Sequence, residues 1–104
     1  MIVALFNSNS AKRLMKRLVA LRAELERARE DQRIAEQQLL AVSDQDEDDR
    51  VRMIVSENRY EEQRWQAGHR NRELMEKNLV TARGRVRELE VRERQLVDEL
   101  AAAP

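Results

Sequence analysis

From Ala11 to Val42 core-type residues recur at alternating steps of three and four: Leu14, Leu18, Leu21, Leu25, Ala28, Ala35, Leu39 and Val42, with only Gln32 breaking the rhythm. Ala11, Leu18, Leu25, Gln32 and Leu39 fall on heptad position a, and Leu14, Leu21, Ala28, Ala35 and Val42 on position d. A period of 3.5 residues keeps one narrow apolar seam against a partner helix, as in a coiled coil. A seam that narrow must be covered by something else, and the fold follows from what covers it.

Composition leaves little besides helix. Charged residues make up 38% of the chain and aromatics 3%, with two glycines and one proline among 104 residues. That is too few large apolar side chains for a rounded core and too few β-branched ones for a sheet, but it suits long helices with solvated flanks. Lys plus Arg equals Asp plus Glu at 20 each, so no net charge draws the whole molecule to nucleic acid or membrane. The absence of cysteine excludes disulfides and thiolate chemistry and suits a reducing compartment such as the cytoplasm. The longest apolar run, Met1 to Phe6, is far short of the roughly 20 residues of a membrane span. Seventeen arginines against three lysines suggest a GC-rich source genome, which says nothing about function.

Residues 1–9 read as an apolar arm ending in helix-capping residues. Helix 1 is expected over residues 10–42, opened by Ser10 or a neighbour. Residues 43–49 hold Ser43, Asp44, Gln45, Asp46, Glu47, Asp48 and Asp49 without one apolar side chain, and predict an acidic turn. The aspartate spacing lacks the glycine and the terminal glutamate of a calcium loop, so no metal is assigned there. Helix 2 is expected over residues 50–102, with Val51, Asn58, Trp65, Arg72, Leu79, Val86, Glu93 and Leu100 at a, and Ile54, Glu61, Gly68, Met75, Ala82, Leu89, Leu96 and Ala103 at d, a seam made poor in its middle by Asn58, Glu61, Gly68 and Arg72. Gly68 is its expected weak point.

A parallel pair of first helices would set Arg17 against Arg22 and Asp31 against Glu36. Folding helix 2 back antiparallel instead matches Val42 with Val51, Leu39 with Ile54, Ala28 with Trp65 and Leu14 with Leu79. Gln32 then meets Glu61, and these two with Asn58 read as polar layers that fix the register. A register one heptad longer improves the open end but strands Val51 and Ile54 in a loop. The expected fold is therefore all-α, an antiparallel two-helix coiled-coil hairpin whose longer second helix protrudes. It is paired to about residue 82, and residues 83–102 overhang.

Three functional expectations follow. The overhang leaves Val86, Leu89, Leu96 and Leu100 bare, which marks an interface for a protein partner or for self-association. No acid precedes Glu24, so Lys12, Arg13, Lys16 and Arg17 gather beside Arg83, Arg85 and Arg87 in a basic open end. That end is the alternative reading, a surface for nucleic acid or another anionic partner. A thin two-helix rod offers no concave pocket for a substrate, and His69 has no second ligand or nucleophile nearby in sequence; neither catalytic residues, metal nor cofactor are assigned. The reading is of a non-enzymatic scaffold, adaptor or chaperone-like binder. In general shape the chain resembles the short hairpin stalk and chaperone proteins of bacterial secretion machines, whose paired helices are likewise rich in Arg, Gln, Glu and Leu.

Overall fold

The computed structural model describes residues 9–103; the apolar arm Met1 to Phe6 lies outside them. Two helices, α1 (Asn9–Ser56) and α2 (Arg59–Ala102), form an all-α hairpin, and among the described residues only Glu57, Asn58 and Ala103 lie outside a helix. None of the described helices is long and apolar enough to cross a membrane.

The heptad explains which side chains are covered. In α1 nearly every residue that is not exposed sits at a or d: Ala11, Leu14, Leu18, Leu21, Leu25, Ala28, Gln32, Ala35, Leu39, Val42, Asp46, Asp49 and Met53. In α2 the same phase covers Glu61, Trp65, Gly68, Arg72, Met75, Leu79, Ala82, Val86, Leu89, Glu93, Leu96 and Leu100. Each helix runs its own unbroken register, and α2 continues through Gly68 without interruption.

The hairpin divides into two units. One, comprising among the described residues 9–30 with 84–103, holds the core: Leu21, Leu25, Ala28, Val86 and Leu89 form its cluster, with Leu96 packed against it. Leu25 and Leu89 are 1% and 0% exposed. Each contributes about 1.5–3 kcal/mol through burial. Its register is fixed by Arg22–Glu93 at 3.1 Å, Arg85–Glu24 at 3.3 Å and Arg29–Glu90 at 3.8 Å. These pairings put Leu18 in a layer with Leu96, Leu25 with Leu89, and Ala28 with Val86. The other unit, residues 31–83, contains the reversal; its buried apolar residues are only Ala35 and Leu79, and its buried polar residues are Asp46 and Asp49.

The expected turn at 43–49 is instead interior to α1, and the chain reverses at Glu57 and Asn58. A reversal at 43–49 buries Val51 and Ile54 but leaves Val86, Leu89, Leu96 and Leu100 bare. Extending α1 covers all four of those at the expense of Val51 and Ile54, which end 55% and 58% exposed. The larger apolar gain wins, so the second helix does not protrude: α1 has 48 residues and α2 has 44. Leu14, expected beside Leu79, lies three heptads further along α2, in the layer of Leu100. The segment can stay helical because it has neither glycine nor proline, and its acids find cations one turn on, as in Glu47–Arg50 and Asp49–Arg52.

The reversal is two residues long. The Glu57 N–H donates to the Met53 carbonyl at 3.2 Å, closing α1, and Glu57 itself takes the left-handed conformation at φ 48°. Asn58 opens α2: its side-chain oxygen accepts from the Tyr60 N–H at 2.7 Å and its carbonyl from the Glu62 N–H at 3.0 Å. Asn58 is thus a helix cap and not the seam layer expected of it. Glu61, third into α2, puts a carboxylate at the helix's positive end. Glu57→Gly removes the strain of a β-carbon at positive φ and is expected to stabilise the hairpin by about 0.5–1 kcal/mol. Urea denaturation checks this, and a loss of stability would mean that Glu57 is not in that conformation.

Candidate functional site

The seam of the reversal-bearing unit carries the unusual chemistry. Carrying the α1 heptad past Val42 places Asp46 at a and Asp49 at d, and both are buried, at 5% and 4% exposure. Asp46 Oδ2 accepts from Arg72 Nη1 at 3.1 Å and lies 3.3 Å from His69 Nδ1, both reaching across from α2. Asp49 Oδ1 accepts from Gln45 Nε2 at 2.9 Å and faces Arg64 Nε at 3.7 Å and Arg52 Nη1 at 3.8 Å. Both α2 side chains are braced in turn: His69 stacks on Trp65 with ring centres 5.1 Å apart, its Nε2 lies 3.4 Å from Glu73, and Arg72 Nε lies 3.3 Å from Glu76.

Burial by itself would push the Asp46 carboxyl up, but the Arg72 hydrogen bond and the His69 contact together outweigh it and hold it below the usual carboxylate range. The same hydrogen bond raises Arg72 above the ordinary guanidinium value. Asp46 Oδ1, Trp65 Nε1 and Glu61 Oε2 are buried without a hydrogen-bond partner. Such a layer costs more than leucines would, and it penalises any slipped pairing that leaves an aspartate facing hydrocarbon. Its chemistry is that of a register lock. Among the described residues no three His, Asp or Glu side chains converge as metal ligands.

Other predicted residues fall elsewhere. Val86 and Leu89 are buried in the hairpin core, with Leu96 packed against it and Leu100 half-buried, so they are not an unpartnered stripe. The basic end does not assemble as expected. Arg17 borders an open groove of about 370 Å³ whose far wall is Arg92, Gln95 and Glu99. Arg85 is engaged by Glu24, Arg83 sits 3.9 Å from Glu36, and Arg87 is exposed further along α2. Lys12, Arg13, Lys16 and Arg17 remain exposed on α1. Gln32 turns to Glu36 on its own helix at 3.0 Å and forms no layer with Glu61, which is half-buried near the reversal.

Sequence reasoning missed the buried aspartates because a run without apolar residues reads as a turn. The signal was present: continuing the α1 count by four and three reaches Asp46 and Asp49. It also missed the counterpart, three apolar residues on the outer side of the same helical stretch: Val51, Ile54 and Val55, the last 78% exposed, with Tyr60 67% exposed just past the reversal.

No protein-family model, curated protein or solved structure matches the chain.

Because Asp46 gives up its proton more readily when folded than when unfolded, the stability it contributes is fully present above about pH 4, the range of an ordinary carboxyl. It is lost as pH falls through the lower folded value. Thermal melts from about pH 5 down to pH 2 should therefore show a steeper loss for the wild type than for Asp46→Asn. Parallel curves would remove Asp46 as a source of acid sensitivity.

Proposed function

We propose that the chain is a non-enzymatic, protein-binding coiled-coil hairpin, a scaffold, adaptor or chaperone-like binder of the cytoplasm, and that its working surface is the outer face of α1 next to the reversal. The observation that carries this reading is the exposure of Val51, Ile54 and Val55. Residues spaced by three and four lie on one side of a helix, so these form a continuous apolar strip facing away from α2. Scattered apolar side chains on a surface need no explanation; a contiguous strip on a helix that buries two aspartates behind it does. A partner that covers the strip removes this apolar area from water, which is the usual source of affinity in helix-groove recognition. The C-terminal leucines no longer serve this role because α1 covers them. The basic reading is weakened by the ion pairs that occupy Arg83 and Arg85.

Ile54→Glu with Val55→Glu tests the reading, since both side chains point outward and neither supports the hairpin seam. The double variant should keep its helical circular dichroism and melting behaviour but lose the proteins that the wild type captures from its native cell. Unchanged capture would contradict the assignment.

A further inference from the structure

We propose that the partner for this face is the start of α1 on a second copy of the chain, the two α1 segments lying parallel and head to tail. The proposal rests on the protein-binding reading above and names the occupant of its surface. Its ground is a complementarity written twice on one helix. On the outer side near the reversal, Asp44, Asp48, Val51 and Val55 follow one another in steps of four, three and four, all exposed, with Glu47 and Ile54 alongside. On the outer side at the other end of α1, Lys12, Lys16, Val19 and Ala23 repeat the same steps, all exposed, with Arg13 and Ala20 alongside. The first face runs acid then apolar, the second base then apolar, both in chain direction. Laid parallel, Lys12 meets Asp44, Lys16 meets Asp48, Val19 meets Val51, and the small Ala23 meets Val55.

The charges are available for this. No ion pair holds Lys12, Arg13, Lys16, Asp44 or Asp48 among the described residues, and Glu47 meets only Arg50, at 3.9 Å between two exposed side chains. The alternating steps are those of a second, shorter seam on the side of α1 that α2 does not touch. The apolar residues supply the burial and the charges the orientation, because a reversed pairing sets Lys12 and Lys16 against Val55 and Val51, a slip by one heptad sets Lys12 against Val51, and pairing two like faces brings acid to acid or base to base. Every copy carries both faces, and the two faces differ, so the contact is heterologous and each added copy leaves one face of each kind open. The contact is small, so association is weak, rises with protein concentration and falls with salt.

Sedimentation velocity from about 10 to 500 µM protein, at 50 and 500 mM salt, reads this directly. The wild type should gain mass with concentration at low salt and return towards the monomer at high salt. One variant carries Lys12→Glu, Arg13→Glu and Lys16→Glu; a second carries Asp44→Lys, Glu47→Lys and Asp48→Lys. Each should stay monomeric while retaining its helical circular dichroism, and an equimolar mixture should regain mass, because the reversed face of one then matches the reversed face of the other. A wild type that is monomeric throughout, variants that associate like the wild type, or a mixture that fails to recover would each overturn the proposal. A monomeric wild type whose captured cellular protein is still lost on Ile54→Glu with Val55→Glu would sink this inference and leave the protein-binding reading intact.

Discussion

The contact of Asp46 with Arg72, 3.1 Å across the seam, is the constraint on which the rest of the hairpin depends. An unpaired carboxylate at an a position would force the helix to end or to rotate, because stripping an ionised group of water without a partner is too costly. With the guanidinium supplied from α2, and His69 beside it, the acidic stretch of α1 can stay helical and keep its phase. The reversal is then pushed to Glu57 and Asn58. Only with the chain reversing there does the far part of α2 return alongside the start of α1, so that Leu25 and Leu89 bury each other. The strongest apolar packing in one unit is thus conditional on a polar pair in the other, through the length of α1 alone.

That arrangement leaves a local conflict. Between residues 44 and 56 the helix turns Asp46 and Asp49 inward and Val51, Ile54 and Val55 outward, the reverse of what burial would choose for this stretch in isolation. Natural chains resolve most such conflicts, and those they keep tend to sit where a surface is used. On the function proposed above, the exposed strip is a binding face, and the acids beside it give that face a sign. The basic start of α1 carries the matching sign with the same residue spacing.

Much of the fold was legible in the residues themselves. The heptad, its phase in each helix and the antiparallel hairpin all follow from where Leu, Ala and Val recur, whereas the seam around Gly68 carries Glu61 and Arg72 and leaves the continuity of α2 open. The position of the reversal was not, and the reason is energetic. Asp46 and Asp49 resemble turn residues until Arg72, His69, Arg64 and Gln45 are known to reach them, and that knowledge requires the register it would help to choose. Val51 and Ile54 made the error self-consistent, because they also fit the phase of α2 extended backwards. Asn58 was marked as special for its polarity, and its role as a cap became visible only once the chain was known to turn there. The candidate binding face is hidden for the same reason, since Val51 and Ile54 fit a seam position in one register and the surface in the other.

The central claim is the register, and the absence of cysteine makes it directly measurable. Spin labels at Ala20→Cys and Gln95→Cys, which border one groove in this structure, should give a distance below about 20 Å by double electron–electron resonance. That distance should persist when the labelled protein is diluted with unlabelled chain. A reversal at the acidic segment would set residue 95 some twenty residues from its place beside residue 20, more than about 30 Å at the helical rise. A distance of that size, or a short one that vanishes on dilution, would contradict the account.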